Sequence, residues 1–429
     1  MAPPIYKTSL DNGLTVLLKE MHHAPVTSFW VCYRVGSRNE HPGITGASHW
    51  VEHMMFKGSA NFPPGTLDSA ISREGGRYNA FTWLDITAYF ETLPSPRIDL
   101  ALAIEEDRMA NLLMDPADVE SERTVILSER HMYENQPTFL LYEELLAAAF
   151  RVHPYQYEVI GEEIDLLTMT REDLFNHYRL YYAPNNAIIV AVGDFETEEM
   201  LDRIQSRFGD IPAGPPLPPV HRPEPPQRGE RRIIVKGPGD AAYLVAGYHA
   251  PAATDPDYYS LALLNAAFTG GSSLGMYGSG STNRSSRLYK ALVGRELAAA
   301  AFGSLAPTAD PFLYDVGAVV RAGRTLAEVE AALDAEIERL AAEPITQAEL
   351  DKALKQAKAQ FIMAGESVTG QGRVLGMAEV VAGDYLWYEN ALDRLSAVTL
   401  KDIERVRQQY LHPDNRTVGW YEPVGNGEQ

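Results

Sequence analysis

Two stretches of this chain carry the same residues at the same spacing. Thr170, Asp173, Tyr181, Pro184 and Asn186 recur as Thr399, Asp402, Tyr410, Pro413 and Asn415, each 229 residues further on. The same displacement carries Glu120 onto Glu349, and Glu122 and Arg123 onto the chemically similar Asp351 and Lys352. Single matches arise by chance; six identities on one displacement do not, and they predict two copies of one domain type. In each copy the shared residues read as a Thr-capped helix, a turn set by Pro and Asn, and a β-rich strand, residues 187–192 and 417–421. Between the copies, residues 211–229 hold eight prolines, which forbid a helix or a central strand. An extended polyproline tether is expected there, with a Pro-rich ligand for a partner domain as the alternative. The expected division is residues 1–211, a linker at 212–229, and residues 230–429.

Each half mixes element types. Residues 14–19, 27–35 and 85–93 alternate or run apolar with β-formers, predicting strands. Residues 100–114 and 326–342 have helical apolar spacing, the second with Thr325 as cap and Glu328 completing a capping box. Consecutive strands and consecutive helices predict an α+β fold, each domain a largely antiparallel β-sheet packed with α-helices. A length of 429 residues suits two such domains. The formal net charge of −21 argues against a nucleic-acid partner, because phosphate binding needs a basic surface. The single cysteine, Cys32 within an apolar run, excludes an intramolecular disulfide and any thiolate-cluster zinc site, and reads as core. The opening residues lack the apolar core of a secretory leader, and apolar runs end well short of the ~18 residues a membrane span needs. The expectation is a soluble cytoplasmic protein with no membrane partner, a periplasmic one remaining open if a leader has been removed.

The chemistry concentrates in His49-Trp50-Val51-Glu52-His53. On a helix His49 and His53 stand about one turn apart, so both imidazoles leave one face at a spacing suited to one zinc ion. Glu52 shares that face and sets a carboxylate beside the metal. The order is H-x-x-E-H rather than H-E-x-x-H. The competing reading is two surface histidines and a solvated glutamate. Val51, Met54, Met55 and Phe56 weaken it, since a strongly apolar helix would bury the polar triplet, and buried polar groups need a partner. A catalytic zinc also needs a third protein ligand. Candidates lie in residues 119–130, where Glu122 and Glu129 are seven apart on one helical stripe.

On these residues the sequence resembles the pitrilysin and insulin-degrading-enzyme family of inverzincin metallopeptidases, in particular the short branch that includes mitochondrial processing peptidase. In that family a ligand glutamate follows H-x-x-E-H by some 70 to 80 residues, with another glutamate seven before it; here Glu129 follows His53 by 76, and Glu122 precedes it by seven. The resemblance covers both halves. It implies His49, His53 and Glu129 as ligands of a Zn2+ cofactor, Glu52 as general base, and Glu122 as a carboxylate orienting the site. It also implies that Asn79, Ala80 and Phe81, after the Gly75-Gly76 turn, pair with the backbone of an extended peptide.

The second copy lacks this constellation. At the common displacement Glu129 becomes Lys358, and no H-x-x-E-H occurs after residue 230. Relatives place a substrate-holding arginine and tyrosine on a segment resembling L-R-x-x-x-G-L-A-Y; within residues 292–300, with one deletion, Val293 and Ala299 take those positions. Arg287 and Tyr289 fall too early in the segment. A related chain is therefore expected to supply the arginine and tyrosine, in a heterodimer closing around a chamber, with a homodimer as the other possibility. The Gly/Ser-rich residues 269–286 lack the order of a phosphate-binding loop; a flexible loop is expected, with substrate gating as the alternative. The expected function is zinc endopeptidase action on peptides or small unfolded proteins. The rival is a non-catalytic structural or peptide-binding relative of the same fold.

Overall fold

Strand β6 (Ala187–Gly193) is buried at every residue, the pattern of a strand covered on both faces. Around it assemble β1 (Tyr6–Ser9), β2 (Thr15–Glu20), β3 (Val26–Tyr33), β4 (Arg77–Thr82) and β5 (Thr87–Pro94), in the order β1-β2-β6-β3-β5-β4. Only β2 and β6 run parallel; the other pairs are antiparallel. A second sheet is built from β7 (Arg231–Pro238), β8 (Tyr243–Ala250), β9 (Ala298–Leu305), β10 (Phe312–Val320) and β11 (Arg416–Val424), in the order β7-β11-β8-β10-β9. Here only β7 and β11 run parallel. Strand for strand, β2-β6-β3-β5-β4 and β7-β11-β8-β10-β9 are the same topology. The duplication read from residues 120–186 therefore extends through both sheets, and the α+β expectation holds.

This computed structural model describes residues 4–220, 222–270 and 284–424. The described chain forms two compact units. The first comprises Met1–Arg130, Tyr157–His221 and Ala364–Tyr388; the second comprises His131–Gln156, Arg222–Met363 and Glu389–Gln429. These units are not contiguous halves, because each takes a helix from the other side of the Pro-rich stretch. In the first unit the helix Val368–Ala382 covers β3 and β6. Its glycines permit close approach: a Cβ at Gly372 would come within 2.3 Å of Trp30 Nε1, and one at Gly376 within 2.5 Å of Cys32 Sγ. In the second unit the helix Pro137–Ala149 covers β7, β8 and β11, its Leu141 and Leu145 lying over Gly419 and Gly247.

The Pro-rich stretch is neither helix nor strand where described. Its two ends are fastened rather than loose. Asn185 and Gly214 exchange hydrogen bonds of 2.8 and 3.2 Å, and the Glu224 carboxylate accepts the backbone N–H groups of Arg151, Val152 and His153. Most of the Gly/Ser-rich segment, residues 271–283, lies outside the described residues. Thr170, Thr325 and Thr399 each cap their helix in a capping box, as their sequences predict. Among the described residues, no helix is long and apolar enough to cross a membrane.

Candidate metal centre

His49, Glu52 and His53 stand on the helix Ala47–Met54, which buries Trp50, Val51 and Met54. The chain enters it through Gly46 at φ 84°, and a Cβ there would lie 2.4 Å from the Ile160 carbonyl oxygen, so glycine alone fits. The helix start is met from outside: Glu40 Oε2 accepts the Gly46 N–H and Oε1 accepts the Ser48 N–H, each at 2.7 Å. A carboxylate there also faces the positive end of the helix. Burial pushes the Glu40 carboxyl up to about 7, against the pull of those N–H groups. The neighbouring helix, Pro116–Glu134, brings Glu122 and Glu129. Its Arg123 lies 4.8 Å from the Trp50 ring centroid and donates to the Met169 carbonyl, docking the two helices.

Ligand atoms of His49, His53 and Glu129 all lie within 4.8 Å of one another. Glu129 Oε2 is 3.7 Å from His49 Nε2 and 3.6 Å from His53 Nε2. Those separations are too long for hydrogen bonds. They fit a shared cation: tetrahedral zinc with bonds of ~2.0–2.1 Å sets its ligand atoms about 3.4 Å apart. The donor set of two imidazoles and one carboxylate is also one that zinc takes, so these residues fit the ion.

The two imidazoles differ in their electrostatics. Burial, then the neighbouring His53, pushes His49 down to about 3, leaving the neutral imidazole that a metal requires. For His53 burial acts downward too, but the Glu122 hydrogen bond and charge outweigh it and hold the imidazole above its usual value. Glu122 Oε1 lies 2.8 Å from His53 Nδ1, which fixes the ring and turns Nε2 toward Glu129. Lys57 Nζ lies 2.5 Å from the other oxygen of Glu122. Burial opposes the charge on Glu122, yet His53 and Lys57 together keep its carboxyl below the usual range. Nδ1 of His49 is buried with no hydrogen-bond partner among the described residues.

Glu52 is held by Thr82, whose Oγ1 donates to Glu52 Oε2 at 2.6 Å. Burial raises the Glu52 carboxyl, with the Thr82 bond acting in the opposite direction. Thr82 ends β4, and β4 is the outer strand of its sheet. Asn79, Ala80 and Phe81 thus sit on a sheet edge that leads directly to Glu52. Asn79 is exposed, and its Oδ1 accepts the Ala80 N–H at 2.9 Å. Trp50 and Tyr89 are fully buried and belong to the core.

Three residues at this site escape sequence reasoning: Glu40, Lys57 and Thr82. Lys57 continues the one-turn spacing of His49 and His53, and Thr82 closes the strand already singled out, so both left a signal. Glu40 left none. In the second unit, Arg287 is committed to a bidentate pair with Glu349 at 2.7 Å and to the Pro344 carbonyl. Val293 and Ala299 carry no polar side chain.

The chain belongs to the M16 peptidase family. Residues 15–163 match the family model described as Insulinase (Peptidase family M16), and residues 168–357 match the one described as Peptidase M16 inactive domain. It is 30% identical to the Helicobacter pylori zinc protease PqqE, over 98% of this chain and 93% of that one. It is 26% identical to a mitochondrial-processing peptidase subunit beta of Lentinula edodes, over 94% of this chain and 87% of that one. A crystal structure of a protease from Helicobacter pylori superposes with a TM-score of 0.91 at 28% identity, covering 99% of this chain and 100% of the other. The family resemblance carried by the sequence motifs therefore holds.

Proposed function

We propose that this chain is the zinc-bearing subunit of an endopeptidase that hydrolyses peptides or small unfolded proteins. The observation that carries the proposal is the convergence of His49, His53 and Glu129 with Glu52 beside them and an open strand edge leading in. In this reading His49 and His53, through neutral imidazoles, and Glu129, through its carboxylate, hold the zinc. Bound there, the ion would supply Lewis acidity, polarising a peptide carbonyl and lowering the pKa of a water so that it becomes nucleophilic on losing its proton. Glu52 takes the proton from that water and delivers it to the leaving amine. Glu122 keeps His53 in one orientation, and Lys57 keeps Glu122 charged. Asn79, Ala80 and Phe81 offer backbone to an extended substrate, which adds to the sheet as a further strand.

The absence of polar side chains at Val293 and Ala299 supports a partner that supplies the substrate-holding arginine and tyrosine. A related chain forming a heterodimer around a chamber fits this best, and a homodimer is the alternative architecture. The test is cleavage of an unstructured fluorogenic peptide by the chain alone, by the chain with a related subunit, and by Glu52→Gln in both settings. Turnover needing the related subunit and lost in Glu52→Gln is expected. Full activity of the lone chain sinks the heterodimer; undiminished activity of Glu52→Gln sinks the mechanism.

A further inference from the structure

Thr82 joins two parts of the site that the sequence keeps thirty residues apart. It is 8% exposed, and its hydroxyl donates to Glu52 Oε2 at 2.6 Å. The direction of that bond is set by its neighbour. Thr87, the cross-strand partner of Thr82, donates its own hydroxyl proton to the Val35 carbonyl at 3.0 Å. The two threonine hydroxyls are 3.4 Å apart, so Thr87 competes weakly for the Thr82 proton and has none to offer in return. The Thr82 proton thus belongs to Glu52.

We propose that Thr82 is a positioning residue: it occupies Glu52 Oε2, leaves Oε1 as the oxygen that accepts the proton, and locks the base to the strand that receives the peptide. This rests on the reading of Glu52 as general base and of β4 as the substrate edge. Residues 79–81 immediately precede Thr82 on β4, so the backbone register that places a substrate strand also places the base. A glutamate side chain has three rotatable bonds, and a misplacement of about 1 Å at a reacting group can cost ~10²-fold in rate. Neither His49 nor His53 contributes to this restraint. Its loss therefore changes turnover without changing metal binding.

The experiment compares wild type, Thr82→Val, Thr82→Ser and Glu52→Gln, in whichever assembly the wild type cleaves peptide. It reads kcat, KM, zinc content and thermal stability. Valine keeps the shape and strand preference of threonine and removes only the donor. Thr82→Val is expected to lose about 10- to 100-fold in kcat with KM and zinc content unchanged, and Thr82→Ser to recover most of that loss. A wild-type kcat in Thr82→Val overturns the inference, as does a loss confined to KM or zinc content, or a serine variant no better than valine. Inactive Glu52→Gln beside fully active Thr82→Val overturns the Thr82 role while leaving the base in place. Active Glu52→Gln, or a wild type that cleaves nothing, overturns both.

Discussion

The helices Ala47–Met54 and Asp257–Phe268 hold equivalent places in the two units. Each packs against the outer strand of its own sheet, β4 or β9, and against the helix that precedes β6 or β11, Arg171–Tyr181 or Leu400–Tyr410. The second helix is twelve residues long and ten of them are buried, mostly Leu, Ala and Tyr. Its one acid, Asp257, is held by Arg405 at 2.6 Å and Tyr410 at 3.1 Å. The first helix is shorter and keeps three polar side chains only partly buried, behind a left-handed glycine and a carboxylate cap. Among the described residues, one copy of the fold thus stands without any such cluster. The constellation in the first unit is therefore not a requirement of the fold, and burial that a Leu-rich helix would have supplied is given up for it.

The largest expected effect erases the difference. Glu129→Lys gives the first unit what Lys358 gives the second, and should abolish zinc uptake, and peptide cleavage with it, as measured by metal analysis of the purified chain. The reciprocal Lys358→Glu should add no second zinc, because the helix Asp257–Phe268 has no imidazole to share. Glu52→Gln comes next, with a loss of about 10²–10⁴-fold in kcat at unchanged zinc content, since the amide cannot accept the proton. Glu122→Gln should weaken zinc binding or activity by about 10- to 100-fold, read by competition with a chelator, because the hydrogen bond to His53 loses its charge.

The smallest effect concerns a buried carboxylate of the second unit. Asp315 on β10 takes a 2.8 Å hydrogen bond from Tyr142, while its Oδ1 has no partner among the described residues. Burial pushes its carboxyl up to about 7, the Tyr142 bond acting the other way. The folded state therefore holds a proton that the unfolded chain releases near pH 4. Its contribution to stability is fullest below that value and is lost as pH rises toward 7. Thermal melts of Asp315→Asn across that window should show a flatter dependence than wild type, and equal slopes would contradict the assignment.

Much of this architecture is legible in the sequence, and the reasons for the gaps are physical. Capping boxes and apolar runs are local, so Thr170, Thr399 and the central strand at residues 187–192 could be read directly. The extent of the duplication could not, because loop lengths differ between the copies: β11 begins 229 residues after β6, but β7 begins only 216 after β2. A fixed displacement finds only the part where no insertion intervenes. The helix exchange was also hidden, since the apolar face of Pro137–Ala149 or Val368–Ala382 shows that it must be covered without showing by which sheet. At the site, His49, His53, Glu122 and Glu129 fall on helical spacing, and the structure brings them together. The Thr82–Glu52 and Glu40–Ser48 bonds join residues on different elements, where periodicity has nothing to say.

In the proposed reading, two copies of one fold carry a single zinc centre, in the first. Zinc stoichiometry of the purified chain, after metal removal and reloading, tests it most directly. One zinc per chain is expected in wild type and in Lys358→Glu, and none in Glu129→Lys. No uptake by wild type, two zinc ions per chain, or full retention in Glu129→Lys would contradict it.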